Sequence, residues 1–245
     1  MSIAEKLTTI AENEQKVYQA GEQAGRNVEN EQFWSVFQDN GNRTDYSNAF
    51  KGQWFSPTNF KPVFDIKPTR ADSMFHNFGI DSADAPMDFS EYAEKHNIVF
   101  DFSQCTNFHT AFASGKIKRL PTIDISKLTD SYYANYAFYG GYTSPKLTTI
   151  DGLVCSEKTT FNSTMFGYMN TLTKVIFKGV IAKNGLSLNP TSLDHDSLMS
   201  MINCLKDYSE DTSGTVWKVT LGSTLLAKLT DEEKQIAYDK GWKLV

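Results

Sequence analysis

The residue types that most often carry acid–base, nucleophilic or metal chemistry are scattered through this sequence. The four histidines share no metal-binding spacing, and no HExxH, GxSxG, Walker lysine or GxGxxG occurs. The three cysteines lie far apart and are odd in number, so we expect small buried residues and not a disulfide framework or metal site. The sequence therefore predicts a protein that is not an enzyme, with no catalytic residue, no metal site and no cofactor.

Two carboxylate arrangements keep an enzymatic alternative open. Asp194-His195-Asp196 has the composition of an acid–base cluster, although acidic residues are also expected where a helix begins. The paired carboxylates of glycoside hydrolysis can lie far apart in sequence. A glycan-active enzyme therefore stays as a further alternative.

Binding chemistry is concentrated in one stretch, SYYANYAFYGG, which Tyr142 follows directly. Tyrosine offers a large amphipathic contact area with few rotatable bonds, and it is enriched in interfaces. We expect Tyr132, Tyr139 and Tyr142 to contact a partner. The alternative is that these tyrosines cap a junction between repeats.

The tyrosine stretch is one copy of an internal repeat. Three segments, starting at Asn107, Asn135 and Asn162, each carry a small or flexible residue before a phenylalanine, then Leu-x-x-Ile or Leu-x-x-Val. Their leucines (Leu120, Leu147 and Leu172) lie 27 and 25 residues apart, within the roughly 20–29 residue period of leucine-rich repeats. Degraded copies surround Phe50 and Phe75, and the insertion FSEYAEKHNI after Phe75 predicts a short helix.

Such repeats predict an α+β solenoid of short strands, because no single repeat can bury its apolar face alone. The phenylalanines at equivalent positions should stack in the core. Residues between the core positions should face outward, because alternate side chains of a strand point to opposite faces. This arrangement predicts one row of Thr122, Thr149 and Lys174 and a second row of Asp124, Asp151 and Ile176. We expect a partner-binding surface there (Thr122, Asp124, Thr149, Asp151 and Lys174); the alternative is a solvated polar ladder.

Before the repeats, residues 1–40 predict a long helix. Apolar residues recur at alternating spacings of four and three, which forms a heptad seam of a possible coiled coil: Ile3, Leu7, Ile10, Val17, Ala24 and Val28. Glu14 and Gly21 weaken this seam. We expect self-association, with a trimer favoured and a dimer possible, or docking on another protein. Phe33, Trp34 and Phe37 should cap the first repeat.

After the repeats, residues 186–245 predict an α/β closing repeat. A helix is expected after Asp194, a strand over 217–221, a helix with a capping box from Thr230 to Glu233 that ends at Gly241, and a last strand at Trp242. The predicted domains are therefore 1–40, 41–185 and 186–245.

Composition excludes several classes of partner. A formal net charge of -5 argues against a nucleic-acid binder. No window approaches the roughly 18 apolar residues of a membrane helix, so we expect no membrane insertion. The start lacks the basic and apolar regions of a secretory signal, so we expect synthesis in the cytoplasm without a signal peptide.

The Ala-Phe pair followed by Leu-x-x-Ile resembles the BspA-like leucine-rich repeats of bacterial surface proteins. The whole chain resembles leucine-rich repeat proteins encoded by phages and prophages of gut Firmicutes, in which segments like KLTTIAENEQKVYQAG and NGNRTDYSNAF precede the repeats. This resemblance implies a virion protein, such as a tail fibre or receptor-binding component. Its expected partners are a host cell-surface protein or glycan and, through the N-terminal helix, other virion proteins. The alternative is a bacterial cell-surface adhesin.

Overall fold

The computed structural model describes residues 43–52, 57–58, 60–62, 64–141 and 145–245. The predicted N-terminal helix with its seam, the three aromatic residues expected to cap the first repeat, and Tyr142 lie outside these residues.

Four parallel strands form the main sheet: β1 (Met87–Asp88), β2 (Ile117–Asp124), β3 (Thr149–Cys155) and β4 (Lys174–Gly179). Their order in the sheet is their order in the chain. Each strand and the turns before it therefore make one layer against the next, which is the arrangement expected for stacked repeats. Membership of the leucine-rich repeat class stays a prediction.

A column of phenylalanine rings runs through the layers. The ring centroids of Phe50 and Phe75 are 5.0 Å apart, and those of Phe75 and Phe112 are 5.7 Å apart. Phe112 lies 5.5 Å from Phe138, and Phe138 lies 5.2 Å from Phe166, with ring planes within 10° of parallel. All five side chains are buried. The predicted equivalence of these five phenylalanines, including the two in degraded repeats, is confirmed.

The same turns are joined by backbone hydrogen bonds between layers. The amides of Phe75, Phe112 and Phe138 donate to the carbonyls of Ala111, Ala137 and Met165 at 2.7, 2.9 and 2.9 Å. Amides two residues earlier, such as those of Ser73 and Thr110, do the same. Turn backbone that would otherwise be unsatisfied in the interior is therefore paired.

The strand register agrees with the predicted one between β3 and β4 and differs from it between β2 and β3. Leu120 pairs with Ile150, and Ile150 pairs with Val175, so Leu147 lies before its strand and is not equivalent to Leu120. The motif Leu-x-x-Ile has apolar residues three positions apart. Shifting the strand by three residues therefore replaces one apolar residue with another, so hydrophobicity alone does not distinguish the two registers. The longer connection after Phe138 takes up the extra residues.

This register corrects the predicted outward rows. Thr122 pairs with Gly152, while Thr149 lies between Arg119 and Lys174. Within β2 every third side chain is buried, at Ile117, Leu120 and Ile123, so strict alternation of faces is wrong for this strand. In β3 the register shifts between Ile150 and Leu153, so Asp151 does not lie in a regular row.

Helices complete the fold: α1 (Phe89–His96), a 3-10 helix (Ser131–Ala134), α2 (His195–Cys204), α3 (Gly222–Leu226) and α4 (Asp231–Asp239). A second, two-stranded parallel sheet pairs β5 (Trp217–Val219) with β6 (Trp242–Leu244). The predicted helix in the insertion, the helix after Asp194 and the capping box of Thr230 and Glu233 are confirmed. The last helix ends at Asp239, two residues before the predicted Gly241, and β5 is shorter than predicted, since Leu221 is already the N-cap of α3.

Helix α2 closes the exposed edge of β4 with two serines. The amides of Val175 and Phe177 each donate to a serine hydroxyl, Ser197 Oγ and Ser200 Oγ, at 3.0 Å. An uncovered edge strand is a template for aggregation. These hydroxyls occupy the hydrogen-bonding positions that a further strand would take.

Replacing Phe138 by Ala should lower the free energy of unfolding by about 3–5 kcal/mol, because the ring is fully buried between two others. Urea denaturation measures this change, with the exposed Tyr238→Ala as the matched control. A loss below about 1 kcal/mol would show that the phenylalanine column does not support the fold.

Candidate functional site

An open groove of about 810 Å³ lies where the turns that carry Phe138 and Phe166 meet. Its walls combine aromatic rings with hydroxyl and amide groups. The lining residues are Tyr136, Tyr139, Tyr168, Ser163, Thr164 and Asn170, with Gly141, Gly167, Pro145 and Pro190. We call this surface the tyrosine groove.

The ring of Tyr139 lies at the centre of the tyrosine groove. Its centroid is 4.9 Å from that of Tyr136 and 5.5 Å from that of Tyr168, with ring planes near perpendicular in both pairs. These are favourable edge-to-face contacts. A Cβ at Gly167 would lie 2.9 Å from the Tyr139 ring. The glycine therefore allows this ring to rest directly on the backbone of the next layer.

Two of the three tyrosines stand on backbone that disfavours them. Tyr136 and Tyr168 have φ of 56° and 58°, a left-handed conformation that costs an ordinary L-residue about 1–2 kcal/mol. The position that Tyr136 occupies, two residues before the phenylalanine of its turn, also has positive φ in the turns of Phe50, Phe75 and Phe112. There it is occupied by Asn48, Ser73 and Thr110.

The position that Tyr168 occupies, two residues after the phenylalanine of its turn, also has positive φ in other turns. Asn77 and Ser114 occupy it in earlier layers, again at positive φ. Tyr168 is 57% exposed, so burial offsets little of its conformational cost. Strained residues that packing does not require are found at binding sites.

The groove lining is uncharged, since no acidic, basic or histidine side chain is among its described residues. The Thr164 hydroxyl is already bonded within the protein, to Asn162 Oδ1 at 2.7 Å and to Asn135 Oδ1. Among the described residues, the Ser163 hydroxyl and the Asn170 side-chain amide have no hydrogen-bond partner. The groove thus presents aromatic faces beside neutral donors and acceptors.

Of the two predicted tyrosines that the structure describes, Tyr139 lines the groove and Tyr132 does not. Tyr132 is 62% exposed, stacks on His109 at 5.3 Å and contacts Tyr133, outside the groove lining. The groove residues Tyr136 and Tyr168 were missed, although their fixed spacing from Phe138 and Phe166 could have located them.

The predicted sheet surface is partly bound within the protein. Asp151 accepts from Arg119 Nε at 2.8 Å and from Ser90 Oγ at 2.6 Å, so both carboxylate oxygens have partners. The pKa of Arg119 is raised, first of all by this hydrogen bond. Asp124 accepts from the Ser126 amide at 2.8 Å. These contacts tie the strands to α1 and to the following turn.

The other strand residues that were predicted to bind a partner, Thr122, Thr149 and Lys174, lie against neighbouring strands. A Cβ at Gly152 would lie 2.7 Å from the Thr122 hydroxyl oxygen and 3.0 Å from Lys178 Nζ, so Thr122 rests on the neighbouring strand. Thr149 and Lys174 are adjacent in register. Partner binding by these residues stays a prediction.

The Asp194-His195-Asp196 segment is a helix cap and an interhelical contact. Asp194 accepts from the Ser197 amide at 2.9 Å, as an N-cap does. His195 Nε2 lies 2.7 Å from Glu233 Oε1 of α4, and this hydrogen bond raises the pKa of His195. The Asp196 carboxylate is farther away, at 3.7 Å. The contacts account for this segment structurally, as a junction between α2 and α4.

The cysteines Cys105 and Cys155 are buried, as expected, and Cys204 is partly exposed. Burial raises the pKa of Cys105 to about 12, which opposes thiolate formation. Within the described part of the chain, no group of three or more side chains could hold a metal ion. In the same residues, no helix is both long and apolar enough to cross a membrane.

No family model, curated protein or solved structure matches this chain.

The contact between Tyr139 and Gly167 can be tested by a double-mutant cycle. Gly167→Ala should destabilise the protein by about 1–3 kcal/mol, because the new methyl group displaces the Tyr139 ring. In a Tyr139→Ala background only the Thr164 carbonyl oxygen, at 3.2 Å, remains close to the methyl group, so the same substitution should cost clearly less. Urea denaturation of the four proteins measures the coupling, and equal costs in both backgrounds would contradict this geometry.

Proposed function

We propose that this protein is a non-enzymatic recognition protein that binds a partner on a cell surface through the tyrosine groove. The observation that carries the proposal is the pair Tyr136 and Tyr168. Both occupy left-handed slots that earlier layers fill with small polar residues, and Tyr168 is largely exposed. Tyr168 contacts Tyr139 within the protein, yet more than half of its surface is exposed, and a strained residue that keeps an aromatic surface exposed is best explained by a contact with another molecule.

The stacked layers suit this role. The phenylalanine column is buried, whereas the residues of the tyrosine groove line an open surface of the turns. Residues at that surface can therefore vary without disturbing the column. Solenoid surfaces of this sort serve as binding faces in other proteins. The tyrosine groove combines a rigid floor, Tyr139 on Gly167, with exposed groups at its rim.

The proposed setting is a phage virion, as a tail fibre or receptor-binding component, with a bacterial cell-surface adhesin as the alternative. This setting rests on the resemblance of the repeats and flanking segments to phage-encoded proteins. Mass spectrometry of purified phage particles from the source bacterium distinguishes the two. Finding the chain in the particles supports the virion, and finding it only in the cell-wall fraction supports the adhesin.

Binding of fluorescently labelled protein to cells of the source bacterium tests the groove. Tyr168→Asn removes the ring and places a residue that tolerates positive φ, so it should reduce binding about tenfold or more while the melting temperature stays the same or rises. The control is Tyr238→Asn, an exposed tyrosine on α4, which should bind as the parent protein does.

Undiminished binding by Tyr168→Asn would overturn the assignment of the groove. Loss of binding in Tyr132→Ser with full binding in Tyr168→Asn would move the contact surface to the His109 and Tyr132 pair.

A further inference from the structure

We propose that the tyrosine groove binds a short neutral oligosaccharide. This inference rests on the proposed function and names the chemical class of its ligand.

The arrangement of rings suits a sugar. Tyr139 lies between Tyr136 and Tyr168, and each outer ring is nearly perpendicular to it, at 78° and 80°. The groove therefore offers ring faces in more than one direction. The face of an aromatic ring carries partial negative charge, and the axial C–H groups on one face of a pyranose carry partial positive charge. A sugar ring can therefore stack on one tyrosine while its edge meets another.

The polar groups also suit a sugar. Ser163 and Asn170 lie on the groove wall with a hydroxyl and an amide that have no partner among the described residues. Together they supply donors and acceptors, as do the tyrosine hydroxyls. Sugar hydroxyl groups require both kinds of partner, whereas a phosphate or carboxylate ligand requires donors or positive charge.

Charge and volume favour a small neutral ligand. The described lining has no charged side chain, so nothing there compensates the charge of an anionic sugar, a nucleotide or a charged peptide. A volume of about 810 Å³ falls within the usual range of small-ligand sites. A stable protein–protein contact needs a broader patch, of roughly 1,000 Å² or more in total. Since the groove is open, a longer glycan chain could continue past it.

The experiment uses the full chain and cells of the source bacterium, compared after three treatments. Mild periodate cleaves sugar diols and should reduce binding about tenfold, the size expected for losing the stacked rings. Proteinase treatment should leave binding within about twofold. Glycans released from the cell wall are then separated by anion exchange, and the uncharged fraction should compete with cells for the protein.

Matched variants assign the effect to the groove. Tyr168→Asn should bind the uncharged fraction about tenfold more weakly than the parent, and Tyr238→Asn should bind it equally. Asn170→Asp should also weaken binding, because it removes the two N–H donors of the side-chain amide and leaves only acceptors.

The outcomes separate this inference from the proposed function. Cell binding that depends on Tyr168, is lost after proteinase and survives periodate would mean a protein partner; the sugar would be wrong and the recognition role would stand. Competition by the anionic fraction alone would overturn the neutral class. Cell binding that does not depend on Tyr168 would overturn both proposals.

Discussion

Stacking of one phenylalanine from each layer is the interaction on which the rest of the structure depends. The five rings lie 5.0–5.7 Å from their neighbours, and the turns that carry them exchange hydrogen bonds from layer to layer. Each inner ring of the column contacts the rings of both adjacent turns, so the layers stabilise each other, as is expected for stacked repeats. The parallel strands add a second set of contacts to the same stack. The serines of α2 then end the sheet by bonding the free amides of β4.

The tyrosine groove follows from this constraint. Four of the five turns have positive φ two residues before the phenylalanine, and several have it two residues after the phenylalanine. None of the residues at these positions is fully buried, so their side chains can vary more than those of the column. In earlier layers these positions hold Asn, Ser and Thr, whereas the last two layers place Tyr136 and Tyr168 there.

Much of this organisation can be predicted from the sequence, because its signals are local. The residue before each phenylalanine and the spacing between copies were enough to identify all five rings. The capping box of Thr230 and Glu233 predicted the start of α4. The strand register was not predictable in this way. Leu147 and Ile150 are both apolar, so the choice between them depends on the length of the connection after Phe138. Asp151 was expected to face a partner, but Ser90, 61 residues earlier, binds it. The groove was missed because it joins side chains of two layers, and only the stacking brings Tyr139 onto Gly167.

Residue-resolved hydrogen exchange by NMR tests the stacked turns most directly. The amides of Phe75, Phe112 and Phe138 donate between layers, so each should be strongly protected and should exchange only through global unfolding. The amide of Lys158, on an exposed turn after β3, should exchange much faster. Exchange of the three phenylalanine amides at the rates of an unstructured peptide, or with unrelated opening energies, would contradict the account of a single stacked column.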